Sequence, residues 1–247
     1  MNTLIGYTGF VGENLCKKEN FHKYNSKNIN DLSNIEHETI FCAAPSAEKW
    51  KINKDDTEDL KNINSIIKNI KSSKFKKIVL FSTIDVYDKL DGLNEEYNTI
   101  YDNHHKYGKN RIYFENEIKK FDNWIIIRLP GLFGKGLKKN IIFDLIFNNI
   151  TNKINLNDKY QWYSIDWLKS DLDKVIEENK KTFNFFTEPL ENSIIINKFF
   201  KNINNDYFID VPSNKKYDLR TKNTRTGYIR GKQEVLESLK SYVNIYK

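Results

Sequence analysis

The stretch Leu4-Ile5-Gly6-Tyr7-Thr8-Gly9-Phe10-Val11-Gly12, near the start of a 247-residue chain, decides the fold. Thr3-Ile5 is a β-like run, and a helical pattern extends from about Gly9 to Lys18. Three glycines join them. The first permits a tight turn, the second lets backbone approach a pyrophosphate, and the third allows helix and strand to pack closely. The same spacing can serve packing alone, but its place directly after a first strand favours the binding role. Phe21-Asn25 predicts a second strand, and Thr39-Ala43, ended by Pro45, a third. Leu60, Ile63, Ile66, Ile67 and Ile70 recur with a helical period. They predict a helix over 55–71, with Asp55, Asp56, Glu58 and Asp59 in its first turns, where acids suit the helix dipole. Lys76-Ser82 and Trp124-Arg128 predict buried strands on either side of a helix over 107–120. Such alternation argues for an α/β fold, a doubly wound, mostly parallel sheet with helices on both faces.

The second half is less regular. Helices are expected over 140–149, 167–178, 193–201 and 232–243, with short strands at Trp162-Ile165 and Phe183-Phe186. Residues 1–135 read as the dinucleotide-type core. Residues 136–247 read as a small, irregular substrate lobe interleaved with the last core strands.

Composition removes several classes. Hydrophobic residues make up 39% and aromatics 14%, too rich for a disordered chain. Apolar runs are too short to span a bilayer, so no membrane role is expected. Cys16 and Cys42 make no disulfide framework, and no Cys/His cluster has metal spacing. Cys42 reads as a small core residue. The N-terminus has no basic, apolar, small-residue series, so a cytoplasmic setting is expected. The net charge is +7, and Lys outnumbers Arg 35 to 5 in a chain that also carries 33 Asn and 31 Ile, the signature of AT-rich codons. The basic residues are scattered, and no nucleic-acid-binding signature accompanies them, so no nucleic-acid partner is expected.

Chemistry gathers at two places. Ser82-Thr83-Ile84-Asp85-Val86-Tyr87 ends a buried strand, where open α/β sheets bind ligands. Tyr107-Gly108-Lys109-Asn110-Arg111 follows, and on a helix residues 107 and 111 share a face. A guanidinium beside a phenol favours phenolate. Tyr107 could then move a proton to or from a substrate hydroxyl or carbonyl, with Thr83 bonding the same oxygen. His104-His105 reads as an exposed polar pair, and Trp50, Trp162 and Trp167 read as packing residues. Arg220, Arg225 and Arg230, three of the five arginines, suit a diphosphate or an acidic subunit partner.

These residues carry a resemblance. The glycine loop, the segment 82–87, Tyr107-Gly-Lys-Asn-Arg111 and, more weakly, Arg128-Leu-Pro130-Gly-Leu132-Phe-Gly134 resemble extended short-chain dehydrogenases/reductases of the NAD-dependent epimerase/dehydratase group. The likeness covers roughly residues 1–135. It implies a Rossmann-like core and hydride chemistry on a nucleotide-activated sugar, with Thr83, Tyr107 and Arg111 as catalytic residues. It implies a nucleotide-diphosphate sugar as substrate and, as one ordinary assembly, a homodimer. It further implies that NADP or NAD contacts Gly6, Thr8, Gly9, Phe10, Val11, Gly12, Asn25, Ser26, Lys27, Ala43, Ala44, Pro45, Tyr107, Arg111, Pro130 and Leu132. Two departures stand out. The group's pattern is Tyr-x-x-x-Lys, whereas residue 111 is arginine, a planar fork rather than a point charge. The span between the second and third strands is short, so a contracted sheet edge is expected. The end of the second strand reads Asn25-Ser26-Lys27 with no acid before Asp31, which favours NADP over NAD. The competing reading is a non-catalytic dinucleotide-binding module, a sensor or scaffold, motivated by the arginine and the small lobe.

Overall fold

The computed structural model describes residues 1–102, 104–213 and 215–246. In chain order the first half contains β1 (Thr3–Ile5), α1 (Phe10–Cys16), β2 (His22–Tyr24), β3 (Glu36–Cys42), α2 (Lys49–Lys54), α3 (Thr57–Lys71), β4 (Lys74–Thr83), α4 (Lys106–Ile118) and β5 (Trp124–Leu129). The second half adds β6 (Gly131–Phe133), α5 (Ile141–Ile146), β7 (Ile154–Asn155), β8 (Lys159–Tyr160), β9 (Trp162–Ser164), α6 (Leu168–Glu177), β10 (Thr182–Asn184), β11 (Leu190–Glu191), α7 (Asn192–Phe199), β12 (Phe208–Ile209) and α8 (Lys232–Asn244). The chain divides into two compact units. One comprises residues 1–88, 98–128 and 168–183, and the other residues 89–97, 129–167 and 184–247. Against a boundary expected at 135–136, residues 89–97 and 129–135 lie in the second unit and 168–183 in the first.

The first unit is built on a six-stranded sheet in the order β10-β5-β4-β3-β1-β2. β1 runs parallel to β2 on one side and to β3 on the other, with Ile5 opposite Tyr24 and Cys42. The winding direction therefore reverses at β1, which makes its carboxyl end the switch point of the sheet. Both sheet faces are apolar. Ile40, Cys42, Ile78, Leu80 and Ile126 meet Ile63, Ile66, Ile67 and Ile70 of α3 and Phe114 and Ile118 of α4. The alternate residues Phe41, Val79, Ile125 and Ile127 are buried as well. Burial on both faces is why these strands read as continuous apolar runs. Between β2 and β3 only a 3-10 turn, Ile29–Asn34, intervenes, so β2 is the last strand on that side. This is the contracted edge.

The second unit has no large sheet among the described residues. β6 pairs with β9 and β7 with β12, both parallel, and β8 with β11 antiparallel. Its core joins Ile142 and Leu145 of α5, Ile195, Ile196 and Phe199 of α7, and Val235, Leu239 and Val243 of α8 around Phe133 and Trp162. Residues 90–93 are zipped to 218–220 by backbone hydrogen bonds, Asp218 N to Leu90 O and Arg220 N to Leu93 O. Glu95 then accepts from Asn184 N, Thr221 Oγ1, Lys222 N and Asn223 Nδ2.

Candidate active site

The glycine loop is shaped by close approach. Gly6 has φ +87°, and a Cβ there would stand 2.8 Å from the Ala43 carbonyl. A Cβ on Gly12 would stand 2.2 Å from the Gly6 carbonyl oxygen, so α1 lies directly on the turn. Gly9 differs. Its nearest neighbour to an added Cβ is Gly6 O at 3.5 Å, an ordinary contact. The fold therefore does not require glycine at 9, and Thr8 and Gly9 form an exposed cradle. As N-cap of α1, Gly9 supplies no side-chain acceptor to the first amides of the helix. Phe10 and Val11 are half-buried beside it. The wall against Gly6 is Ala43-Ala44-Pro45, all half-buried, with the Ala44–Pro45 peptide cis. Cys42 behind them is fully buried, and burial pushes its thiol up to about 12, as suits a core residue.

The turn after β2 adjoins the same loop. Gly6 N donates to Tyr24 O, and Asn25 Nδ2 donates to the Tyr7 hydroxyl at 3.1 Å. Asn25 Oδ1 accepts from Lys27 N, closing an Asx turn that leaves Ser26 and Lys27 exposed.

Thr83, Tyr107 and Arg111 come together at the carboxyl end of β4. The guanidinium carbon of Arg111 lies 4.4 Å from the Tyr107 ring centroid, so the cation stacks on the ring face. Tyr107 is buried, at 5% exposure. Burial raises its pKa, and the phenol stays up although Arg111 and the Thr83 hydroxyl both pull it down; Asp85 adds to the rise. The reading that Arg111 would lower the phenol is thus correct for the pair and outweighed by desolvation. Arg111 itself is spent inside the protein. Its Nη1 and Nη2 each bond Asp59 at 3.0 Å, Nη2 also bonds Ser46 O at 2.8 Å, and Asn110 Nδ2 bonds the same carboxylate.

Behind these residues lies a buried polar network. Arg128 bonds Glu115 through Nε and Nη2 and the Tyr87 hydroxyl through Nη1, while Ser82 Oγ donates to Glu115 at 2.6 Å. Burial works against the Glu115 carboxylate, but Arg128 and Ser82 hold it below the usual range. Ser82 is therefore a structural partner rather than a reacting group.

The adjacent histidines are not the exposed pair expected. Both are partly buried. His105 caps α4, its Nδ1 accepting from Gly108 N at 2.9 Å, and its ring stacks near Tyr107. His104 packs on Gly108, where a Cβ would stand 2.2 Å from its Nδ1. Asp85 bonds Lys49 at 2.6 Å, and its amide donates to Thr83 Oγ1 at 3.2 Å. Asn53 of α2 accepts from Tyr107 N.

The other expected contacts lie in the second unit. Pro130 is buried and Leu132 half-buried, opposite Tyr163 in the β6–β9 pair. Arg220 bonds Asp218 and stacks on Tyr228, Arg230 stacks on Trp167, and Arg225 is exposed. Trp50, expected in the core, is 55% exposed and carries Lys54 over its ring.

Sequence reading missed Asp59, Lys49, Asn53, Glu115 and Glu95 as site or network residues. A signal existed for one: Asp59 falls one turn before Ile63 on the buried stripe of α3, a carboxylate where an apolar residue belongs. Among the described residues no cluster of His, Cys, Asp and Glu could hold a metal ion, and no helix is long and apolar enough to cross a membrane.

No family model matches the sequence, and no curated protein sequence does. Solved structures do. A dTDP-4-dehydrorhamnose reductase from Clostridium acetobutylicum superposes with a TM-score of 0.75 at 18% identity, covering 99% of each chain. One from Bacillus anthracis, in complex with NADP, gives 0.74 at 16% identity over 100% of this chain and 99% of that one. A UDP-glucuronic acid 4-epimerase from Bacillus cereus, in complex with UDP-glucuronic acid and NAD, gives 0.72 at 16% identity over 100% of both. The chain has the Rossmann-like α/β fold that these proteins share.

Proposed function

We propose that this protein is an NAD(P)-dependent oxidoreductase or epimerase of the extended short-chain dehydrogenase/reductase type, acting on a nucleotide-activated sugar. The observation that carries the reading is the convergence of Thr83 and Tyr107 at the carboxyl end of β4, in the same unit as an exposed Gly9 cradle at the switch point. The fold shared with nucleotide-sugar reductases and epimerases supports it. A bound nicotinamide dinucleotide would supply a hydride donor or acceptor for a sugar carbon. Thr8, Gly9 and the α1 amides would hold its diphosphate. Ser26 and Lys27, exposed beside the loop and with no acid between them, fit a ribose 2′-phosphate, hence NADP.

Tyr107 transfers the proton at the sugar oxygen, and Thr83 bonds that oxygen. Because burial keeps the phenol protonated, Tyr107 starts as a donor, the state that carbonyl reduction needs. Asp85 is held by Lys49, and residue 84 is isoleucine, so a dehydratase pair of acids is not formed here. The test is fluorescence titration of purified protein with NADPH and NADH, followed by NADPH consumption with a dTDP-4-dehydro-6-deoxyhexose. We expect saturable binding with NADPH preferred. A protein that binds neither dinucleotide would falsify the reading.

A further inference from the structure

We propose that Lys49 is the cation that this site presents to its ligand, with Asp85 as the residue that positions it. The proposal rests on the dinucleotide reading above and adds a residue to it. Arg111 is the cation stacked on the Tyr107 ring, yet it is 5% exposed and both terminal nitrogens are tied to Asp59 and Ser46 O. A planar fork held at both tips has no freedom to turn toward a ligand. Lys49 has the opposite character. Its side chain is 38% exposed, that of Asp85 is 17% exposed, and one carboxylate oxygen holds the ammonium at 2.6 Å. An ammonium has three donors, and the Asp85 contact uses one.

The position of Lys49 is fixed by the strand ends. Residues 43–45 leave β3 against Gly6, and α2 begins at Lys49. Asp85 follows β4, and its amide bonds the Thr83 hydroxyl. The ammonium is therefore held by the residue whose amide bonds the Thr83 hydroxyl, beyond the carboxyl ends of β3 and β4, where this kind of sheet receives ligands. Asp85 bonds it, and its charge acts on His104 and His105; Asp88 also acts on His104, and Asp85 and Arg111 act on Tyr107. Lys49 lowers the affinity of both histidines for protons, so its charge is felt across the site. Asp59 pairs with Arg111, and among the described residues Asp85 is the carboxylate bonded to Lys49. A ligand oxygen, whether a ribose hydroxyl or a phosphate, meets the ammonium already oriented.

The test uses the full-length chain. NADPH affinity by nucleotide fluorescence and the Tm of the ligand-free protein are measured for the parent, Lys49→Met, Lys49→Arg and Arg111→Met. Loss of a charged hydrogen bond predicts that Lys49→Met raises the NADPH Kd by about tenfold or more. Its ligand-free Tm should stay within about 2 °C, because an exposed ion pair contributes little to stability. Lys49→Arg should recover most of the affinity. Arg111→Met should lower Tm sharply, since it strands the buried Asp59. If Lys49→Met binds within twofold of the parent, the proposal fails while the dinucleotide reading stands. If affinity and Tm fall together and Lys49→Arg restores neither, Lys49 is structural and the proposal fails. A parent that binds no dinucleotide ends both.

Discussion

At the residue scale the site is governed by burial more than by pairing. Tyr107 carries a stacked guanidinium and still keeps its proton, because desolvation outweighs the cation. Replacing Tyr107 with Phe should cut turnover by about 10²–10⁴-fold while leaving the NADPH Kd within a small factor, read by parallel kinetics and fluorescence titration. Asp59→Ala should cost about 3–5 kcal/mol in urea unfolding, since it leaves Arg111 buried and unpaired. Histidine brings a pH dependence. Burial, helped by Lys49, lowers His105 to about 4, against about 6.5 in an unfolded chain. Below about pH 6.5 the unfolded state takes up a proton that the folded state resists down to about 4. Stability should therefore fall as pH drops through that window, with His104 shifted in the same direction. Protonation at Nδ1 would also remove the acceptor that caps α4. Half-burial limits the loss to about 1 kcal/mol. His105→Asn, which keeps a capping oxygen, should flatten the Tm profile between pH 4 and 7. Tyr107 and Arg111 were legible as a pair because their spacing is local, and Thr83 because it ends an apolar strand. Asp59 and Lys49 were not, because each finds its partner 52 or 36 positions away.

At the element scale, legibility follows burial on two faces. β3, β4 and β5 announce themselves as apolar runs because helices and sheet neighbours close both sides. α3 is equally plain through Ile63, Ile66, Ile67 and Ile70. α2 was not read as a helix because Lys-Trp-Lys-Ile-Asn-Lys buries only Ile52, and one apolar position has no period. Yet α2 supplies Lys49 and Asn53 to the site. The α1–β1 junction is the most sensitive joint. Gly12→Ala would press a methyl onto the Gly6 carbonyl and push α1 off the turn. We expect a cost of about 1–3 kcal/mol and a weaker NADPH complex, measured by thermal unfolding and titration.

At the scale of the whole molecule, the two units differ in what a sequence can disclose. The first holds β3, β4, α3 and α4, elements long enough to carry a period. The strands of the second are two or three residues long, and they are ordered by contacts between distant segments. Glu95 is the example, reaching Thr221 across 126 positions with nothing in either segment to signal the match. Glu95→Ala should release residues 221–223 from 89–97. Amides of Asn184 and Lys222 should then exchange hydrogen much faster while those of β3 and β4 stay protected, as hydrogen-exchange mass spectrometry would read. The scattered lysines say little by comparison. The lysines assigned to the proposed site, Lys27 and Lys49, lie in the first unit.

The contracted edge has a further meaning for solubility in a crowded solution. An edge strand normally offers a row of free donors and acceptors on which a foreign strand can template. Here β2 is three residues long, and it presents His22 and Lys23 outward to solvent. Residues 22 and 24 bond toward β1, which turns the peptide groups of Lys23 outward, and the Lys23 carbonyl is already taken by Asn28 Nδ2 at 3.0 Å. An incoming chain would find one residue to pair with, beside a positive charge and with its acceptor filled. The sheet ends at β2 without exposing an adhesive margin.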